Sequence, residues 1–271
     1  MLGATLSATT AGGWSLFEAQ WVERRKVELP LAALPAELDG FRLLHVSDLH
    51  LGTLSLGGVA LDRAVAWAED VRPDLVAITG DLVTRRGGKD KLREALTALV
   101  ARHGVVAVLG NHDVDDARDP FARPADVADL QSAGAVLLRN DAWRFDHDGA
   151  RVQVVGVDPA SYRAGTARPA ERADADAGLR ILLSHFPEIV RRLPTGVFQL
   201  VLAGHYHGGQ ICLPSPWGKI RLKDLRGTFV EGLYEVRGGV LHVSRGIGTS
   251  FLPVRVLARP EATLLTLRAR N

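Results

Sequence analysis

Histidine and carboxylate side chains recur in this sequence at the ends of predicted strands, in spacings that suit metal binding. The strongest case places two histidines one residue apart, His205 and His207, directly after an apolar run. Four further predicted strand ends carry a residue that can ligate a metal ion, namely Asp48 with His50, Asp81, Asn111 and His185. Imidazole, carboxylate and amide groups brought together in this way could bind divalent ions and activate a water molecule.

These side chains can meet although they lie far apart in the chain, because the carboxyl ends of strands in an open α/β sheet form one crevice. Glycines at positions 80, 110 and 204 stand directly before ligand candidates and allow sharp turns and close backbone approach. Seven candidate ligands exceed the roughly four of a tetrahedral site. We therefore predict two ions about 3.5 to 4 Å apart, sharing an Asp carboxylate and one water or hydroxide. Mixed nitrogen and oxygen donors suit manganese, which we expect, or iron, zinc or cobalt.

Each feature alone also has a structural explanation. The Asp48-Leu49-His50 segment could be a turn cap, Gly80-Asp81 a simple turn, and Asn111 the start of a turn with its own side-chain hydrogen bond. His185 alone could be a core histidine. Five such endings in one predicted sheet favour the metal site. The remaining histidines lack this pattern and are predicted to be structural: His45, His103, His147 and His242.

Hydrophobic periodicity predicts the elements that must position these ligands. Strands are predicted at residues 27–31, 41–47, 73–79, 104–109, 135–138, 143–147, 152–157, 179–184 and 199–203, with further β segments within 228–244 and 262–268. Helices are predicted at residues 60–69, 92–99 and 125–131. Alternation of strand and helix up to residue 109 predicts a largely parallel sheet, whereas the strands between 135 and 157 lack helices between them and are predicted to be antiparallel.

Length and composition limit the remaining possibilities. The 271 residues carry a formal net charge of +2, too balanced to indicate a nucleic-acid partner. The single cysteine, Cys212, excludes an intrachain disulfide and a cysteine-based metal site, and it is predicted to be a buried apolar residue. We predict one catalytic domain over residues 27–271, preceded by an N-terminal segment over residues 1–26.

The N-terminal segment is mostly small or apolar, but it fits neither kind of membrane-inserting sequence. No Lys or Arg precedes Arg24, which argues against a secretory signal, and Glu18 interrupts the apolar run that a membrane span requires. Trp14, Phe17 and Trp21 could place the segment at a membrane surface or pack it onto the domain. We therefore expect a protein that is cytoplasmic or peripheral at the membrane.

Five motifs together resemble those of the calcineurin-like metallophosphoesterases. They are Asp48-Leu49-His50, Gly80-Asp81, Gly110-Asn111-His112-Asp113, His185 and Gly204-His205-Tyr206-His207, within residues 41–210. Beyond them, Gly208-Gly209-Gln210, residues 244–250 and Pro253-Val254-Arg255 resemble a bacterial subgroup with membrane-linked phosphodiesterases and a UDP-2,3-diacylglucosamine pyrophosphatase.

This resemblance implies a four-layer αββα sandwich of two mixed β-sheets flanked by helices. It implies that Asp48, His50, Asp81 and His207 hold one metal ion, that Asp81, Asn111, His185 and His205 hold the other, and that Asp81 bridges them. Attack by a metal-bridging hydroxide on phosphorus is the expected reaction. His112 would then face the substrate and donate a proton to the leaving group, and Asp113 would orient it.

The resemblance favours a phosphodiesterase or pyrophosphatase acting on a small-molecule, nucleotide-linked or lipid-linked substrate such as UDP-2,3-diacylglucosamine. Residues 216–227 contain Trp217, Lys219, Arg221, Lys223 and Arg226, either as a solvated basic loop or as a contact with anionic headgroups or a nucleotide diphosphate. A broad phosphomonoesterase and a nuclease are alternatives, although no aromatic-interleaved basic tract supports strand binding. A binding scaffold without activity should have lost ligands, and all seven are present.

Overall fold

The computed structural model describes residues 12–52, 57–114, 133–222 and 227–270. Fourteen strands are found in this part of the chain: β1 (Glu23–Leu31), β2 (Arg42–Val46), β3 (Leu75–Thr79), β4 (Val105–Val108), β5 (Ala135–Leu137), β6 (Asp141–His147), β7 (Ala150–Gly156), β8 (Leu179–Leu183), β9 (Leu200–Ala203), β10 (Cys212–Ser215), β11 (Gly218–Arg221), β12 (Gly232–Val236), β13 (Gly239–Val243) and β14 (Glu261–Ala269). The helices are α1 (12–18), α2 (Gly57–Val71), α3 (Lys89–Ala98) and α4 (Pro159–Arg163), with short 3-10 turns that include Pro187–Arg192.

Two six-stranded mixed sheets contain most of these strands. The first has the order β1-β14-β2-β3-β4-β5, in which β2 to β5 run parallel and β14 runs antiparallel to β2. The second has the order β12-β13-β9-β8-β7-β6, in which β7, β8, β9 and β13 run parallel. The carboxyl ends of the parallel strands, where ligand sites form in such sheets, are therefore available in both sheets.

The sheets pack face to face through an apolar core. Side chains from β2, β3 and β4 meet those of β7, β8 and β9, and Leu43, Ala77, Val106, Ile181 and Leu202 are examples with almost no exposed surface. Helices α2 and α3 cover the outer face of the first sheet. The 3-10 turn Pro187–Arg192 and nearby aliphatic residues cover the outer face of the second. The predicted four-layer arrangement is confirmed. The layer outside the second sheet is thin, because its helical part is this short 3-10 turn.

Helix α2 covers the first sheet because its apolar residues recur at helical spacing and form one stripe. Ala60, Leu61, Ala64 and Ala68 of this stripe are buried in the cluster that contains the outward-facing side chains of β2 and β3. Short side chains on the helix let it lie close to the sheet. The crossovers through α2 and α3 thereby fix β2, β3 and β4 as parallel neighbours, as the sequence predicted.

The strands between residues 135 and 157 were predicted to be antiparallel to one another, and this is only partly correct. β6 and β7 form an antiparallel hairpin. β5 instead joins the first sheet in parallel with β4, and β7 pairs in parallel with β8. The chain therefore leaves the first sheet after β5, which periodicity alone does not reveal because each strand has an apolar face.

Two further predictions need comment. Within residues 216–227, residues 216–221 form the turn and second strand of a β-hairpin made by β10 and β11 instead of an open loop. Lys223, Arg226 and the predicted helix at residues 125–131 lie outside the described residues. The predicted edge strand at residues 27–31 is the end of the longer β1, which does lie at an edge.

Candidate metal centre

The predicted ligands follow strands in both sheets and lie at one end of the sandwich. Asp48 and His50 follow β2, Asp81 follows β3, and Asn111 follows β4. His185 follows β8, and His205 and His207 follow β9. All are buried except His205, which is partly exposed. The site thus draws its donors from two sheets and depends on how those sheets pack.

Asp81 is central to one group of donors. Its Oδ2 lies 3.4 Å from Nε2 of His50 and 3.4 Å from Nε2 of His185. Its Oδ1 accepts a hydrogen bond of 2.9 Å from the backbone N–H of His112, which fixes the carboxylate. A single oxygen between two imidazole nitrogens from different sheets is the arrangement expected of a bridging carboxylate.

Further donors surround each of these two histidines. His207 Nε2 lies 3.0 Å from His50 Nε2 and 3.4 Å from Asp48 Oδ1. On the other side, His185 Nε2 lies 3.1 Å from Asn111 Oδ1 and 3.1 Å from His205 Nδ1. Ring nitrogens this close repel through their lone pairs unless a proton or a cation lies between them. The donor set therefore fits bound divalent cations.

Hydrogen bonds hold two of the imidazoles with a nitrogen aimed at the centre. His185 Nδ1 donates to the Thr79 backbone carbonyl at 2.9 Å, so the lone pair of the neutral ring is on Nε2. His50 Nδ1 is hydrogen-bonded to the Thr84 hydroxyl at 2.8 Å. Partners of this kind orient metal-binding histidines in proteins and set which nitrogen can bind the ion.

The backbone at the site is strained. Asp48, His50, Asp81, His205 and His207 all have positive φ values, between 46° and 81°. Such conformations cost about 1 to 3 kcal/mol each for residues other than glycine. Their concentration at five predicted ligands indicates that the strained backbone orients these side chains at a cost in stability.

Glycines allow the loops to approach one another as predicted. A Cβ atom on Gly110 would overlap the Asp81 carboxylate, and one on Gly204 would overlap Asp48 Oδ2 and the Ser47 hydroxyl. The backbone N–H of His205 can therefore donate to both oxygens of Asp48 at 3.1 Å. The glycines act by leaving room for ligand carboxylates.

Burial and charge shift the proton affinities of these groups. Burial raises the pKa of Asp48 to about 6. Burial also opposes ionisation of Asp81, but His185 and the other imidazoles outweigh it and hold the pKa of Asp81 well below its usual value. Burial lowers the pKa of His185, and the charges of Asp81 and Asp48 more than reverse this and raise it to about 9. The cluster therefore attracts positive charge, as a cation site should.

His112 and Asp113 lie beside these donors. His112 Nε2 is 4.0 Å from Asp81 Oδ2, and His112 groups with His50 and Asp81 within ligand distance. The Asp113 carboxylate accepts hydrogen bonds from the backbone N–H groups of Leu82, Val83 and Gly110. Asp113 thus ties the loop after β3 to the loop after β4, a structural role that the sequence did not suggest. Burial raises the pKa of Asp113 to about 7.

A fully buried arginine supports the last ligand loop, and its role was missed from the sequence. Arg255 donates to the backbone carbonyls of Gly248 (3.1 Å from Nε), Ala258 (2.8 Å) and His207 (3.4 Å). Its Nη2 also lies 3.3 Å from His207 Nδ1. Burial lowers the pKa of Arg255 to about 9. The segment Pro253-Val254-Arg255 drew attention only through family resemblance, because nothing local marks an arginine as buried.

Two histidines predicted to be structural form a buried chain behind the centre. His45 on β2 lies with its Nδ1 2.7 Å from Nδ1 of His242 on β13, and its Nε2 is 2.9 Å from the Thr79 hydroxyl. Thr79 donates to the Ser47 hydroxyl at 2.7 Å. His242 Nε2 is 3.4 Å from the buried Glu261 carboxylate. The chain links the two sheets next to the strand ends that carry Asp48 and Asp81.

Comparison with known proteins agrees with this geometry. The sequence profile described as calcineurin-like phosphoesterase matches residues 41–209. An uncharacterised metallophosphoesterase of Bacillus subtilis, YkoQ, is 30% identical over 82% of this chain and 81% of its own length. The phosphodiesterase YaeI of Escherichia coli is 27% identical over 97% of this chain and 95% of its own. A transmembrane protein with a metallophosphoesterase domain from Danio rerio is 30% identical over 89% of this chain and 56% of its own.

Solved structures with similar folds are more distant. A dimetal phosphatase from Danio rerio gives a TM-score of 0.44 at 13% identity, covering 77% of this chain and 88% of its own. The NAD nucleotidase of Haemophilus influenzae gives a TM-score of 0.48 at 15% identity, covering 76% of this chain and 50% of its own. Among the described residues, no helix is long and apolar enough to cross a membrane.

Proposed function

Since this chain belongs to the calcineurin-like phosphoesterase family, we propose that it is a phosphodiesterase or pyrophosphatase that uses two divalent metal ions, with manganese the expected metal. The observation that carries the proposal is the position of Asp81 Oδ2, 3.4 Å from the Nε2 atoms of both His50 and His185. One carboxylate oxygen shared by imidazoles from two sheets is suited to hold two cations side by side.

The ligands fall into two proposed sets around Asp81. Asp48, His50 and His207 would hold one ion with Asp81, supported by contacts of 3.0 to 3.4 Å among them. Asn111, His185 and His205 form the second set, which would hold the other ion with Asp81. His185 Nε2 lies 3.1 Å from both Asn111 Oδ1 and His205 Nδ1, which supports this grouping. Two bound divalent ions would supply a water of lowered pKa and neutralise charge on the phosphoryl oxygens.

Within this proposal, His112 is the proton donor to the leaving oxygen. It follows ligand Asn111 directly, and its backbone N–H is held by Asp81 Oδ1, so its ring is placed beside the centre. A general acid has to reach the oxygen that departs while the phosphorus is held by the cations. Asp113 would keep His112 in place by fixing the backbone on both sides of it, through Gly110 and Leu82.

Cleavage of a diester or a pyrophosphate is preferred because the E. coli relative that matches nearly the whole chain carries the name phosphodiesterase. We propose a small-molecule, nucleotide-linked or lipid-linked substrate, with peripheral contact at a membrane. The support for that contact lies in the exposed aromatic residues Trp14, Phe17 and Trp217. UDP-2,3-diacylglucosamine is one substrate that combines the nucleotide and lipid features.

A substrate panel on the manganese-loaded protein tests the proposal. It compares bis(p-nitrophenyl) phosphate, p-nitrophenyl phosphate, cyclic nucleotides, single-stranded DNA and UDP-2,3-diacylglucosamine. We expect the diester or the pyrophosphate to be turned over with kcat/KM at least about tenfold above the monoester and the DNA, a difference of about 1.4 kcal/mol in transition-state binding. Preference for the monoester or for DNA would identify a phosphomonoesterase or a nuclease. Full metal loading with no turnover of any class would indicate a binding scaffold.

A further inference from the structure

Large apolar side chains that remain exposed are concentrated in three segments of the chain. Of the fourteen in the described residues, eleven lie there: Trp14, Leu16, Phe17, Trp21, Leu213, Trp217, Ile220, Leu222, Phe251, Leu252 and Leu257. We call these eleven side chains the apolar face. Scattered exposed apolar residues are normal on a protein surface, whereas a concentration of this size marks an interaction site.

Hydrogen bonds join the three segments into one surface. The backbone N–H of Arg255 donates to Ser15 O at 3.1 Å, and that of Ala258 donates to the Glu18 carboxylate at 2.9 Å, which joins the N-terminal helix to the last segment. Lys219 Nζ donates to Leu257 O at 3.1 Å, which joins the hairpin to the same segment. Segments far apart in sequence are thus neighbours in the structure, and each carries exposed apolar side chains.

A groove of about 580 Å³ lies where the three segments meet. Its walls include the indoles of Trp14 and Trp21, the ring of Pro214 and the side chain of Leu257, with Lys219 among the lining residues. The groove is mostly apolar, and its charged lining residues are three cations, Lys219, Arg245 and Arg259, against one acidic residue, Glu18. Arg259 lies over the Trp21 ring at 3.8 Å. A lipid, with an acyl part and an anionic head, has this combination of properties.

Trp217 is the most exposed residue of the apolar face. It lies between β10 and β11 and is 94% exposed, whereas tryptophan is normally well buried. Three of the five tryptophans in the chain belong to the apolar face. Tryptophan is the side chain most characteristic of the membrane–water interface, where its apolar ring and polar N–H are both accommodated.

We propose that the apolar face docks onto an anionic lipid bilayer. The exposed rings come from a short helix, a hairpin turn and a loop, so they project as separate tips that can enter a fluid interface without a matching surface on the other side. Lys219 and Arg221 share one carboxylate, that of Glu231, at 2.8 and 3.6 Å, which leaves excess positive charge beside the tips. Cations at this position favour anionic headgroups.

Docking would place the segment that follows ligand His207 beside the bilayer, because Gln210 connects that segment to the apolar face. Gln210 lies three residues after His207, and its side-chain amide donates to Ser250 O at 2.9 Å and to Leu252 O at 3.1 Å. The backbone N–H of Val256 donates to Gln210 O at 3.0 Å. With the docking, the substrate class would be a phosphoester in a lipid headgroup. This part of the inference rests on the proposed phosphoester hydrolysis.

Co-sedimentation with vesicles tests the docking. The full chain is mixed with vesicles of phosphatidylglycerol and phosphatidylcholine, or of phosphatidylcholine alone, at low and high salt. We expect the chain to bind the mixed vesicles at low salt. Binding to phosphatidylcholine alone, or to the mixed vesicles at high salt, should be at least severalfold weaker. The double variant Trp14→Ala, Trp217→Ala should bind at least about tenfold more weakly, since each ring contributes the transfer of a large apolar side chain. Val100→Ser, at a residue 68% exposed outside the apolar face, is the matched control and should bind as the parent does.

Three results would overturn the docking: no binding by the parent, equal binding by the double variant, or a dimer that sedimentation velocity shows to depend on Trp217. Turnover of bis(p-nitrophenyl) phosphate without vesicles separates this inference from the proposed function. Vesicle binding without turnover of any substrate would leave the docking supported and refute the hydrolase. Turnover by a parent protein that never binds vesicles would do the reverse.

Discussion

Histidines occur at both ends of the sandwich, and the two ends use them differently. Five lie at the carboxyl ends of the parallel strands: His50, His112, His185, His205 and His207. Two lie at the opposite end, His103 before β4 and His147 at the end of β6. His103 Nε2 is 2.9 Å from His147 Nδ1, and His147 Nε2 is 3.4 Å from Asp148. Both ends therefore have imidazoles close to carboxylates, yet only one resembles a metal site.

The difference lies in where the lone pairs point. At the metal end, Nε2 atoms of several histidines converge on Asp81 and Asp48 while backbone and hydroxyl partners hold the other nitrogens. At the opposite end, the imidazoles satisfy each other in a line, and Arg102 at 2.7 Å already neutralises Asp148. Convergence of several ring nitrogens on shared carboxylates, more than the number of histidines, distinguishes a candidate cation site from a structural cluster.

The largest expected effect comes from removing the shared carboxylate. In Asp81→Asn, metal content measured by elemental analysis should fall from two ions to one or none. Activity should fall at least about 100-fold, the upper end for losing a group that merely orients a metal ligand. His207→Ala should lower metal content and activity together. Asp148→Asn, at the opposite end, is the control and should retain both. Full activity in Asp81→Asn would refute the bridging assignment.

His112 provides a finer test within the metal end. If it donates a proton and does not bind metal, His112→Ala should retain two ions while kcat falls about 100-fold to 10,000-fold. The loss should shrink for substrates with leaving groups of low pKa, because these depart without a proton. Loss of an ion in this variant would instead make His112 a ligand, which its grouping with His50 and Asp81 also permits.

The pH dependence of stability should differ in sign between His185 at the metal end and His103 at the opposite end of the metal-free protein. The pKa of His185 is raised to about 9, so its contribution is present below about 6.5 and is lost as pH rises towards 9. Burial, with His147 and Arg102, lowers the pKa of His103, so its contribution is present above about 6.5 and is lost as pH falls. Urea unfolding with chelator from pH 5.5 to 9 measures both.

Variants measure how much each of these two histidines contributes to that profile. His185→Gln should flatten the alkaline loss, and His103→Gln should reduce the acid loss. Burial also raises the pKa of Asp48 to about 6 and that of Asp113 to about 7. Both carboxyl groups add to the decrease in stability as pH rises from about 4 to 7, and they explain any loss in this range that persists in His185→Gln. An alkaline limb unchanged in His185→Gln above pH 7 would contradict the predicted charge balance at Asp81.

The sequence was informative where side-chain type and strand position act together. Asp48, Asp81 and His185 could be grouped because parallel strands bring their carboxyl ends to one edge, and the structure places them within ligand distance. The first sheet was predictable for the same reason, since apolar runs alternate with α2 and α3. These inferences depend on local pattern and on one general rule of topology.

What the sequence could not show depends on packing between distant segments. The assignment of β5 to the first sheet is set by contacts with β4 that no local signal encodes. Arg255 reads as an ordinary charged residue until Gly248, Ala258 and His207 are seen to surround it. His45 and His242 were predicted to be structural, and their contact across the two sheets requires knowing which strands face each other.

The smallest expected effect sharpens the comparison from the opposite end. His103→Gln removes the hydrogen bond to His147 and the stacking of the His103 ring on Phe145 at 4.2 Å. We expect the free energy of unfolding to fall by about 1 to 2 kcal/mol, measured by urea denaturation, while metal content and kcat stay unchanged. His147→Gln should behave alike, because the same bond is lost from the other side. Since these imidazoles satisfy one another, their loss should cost stability alone; a lower metal content in either variant would show that the two ends are coupled.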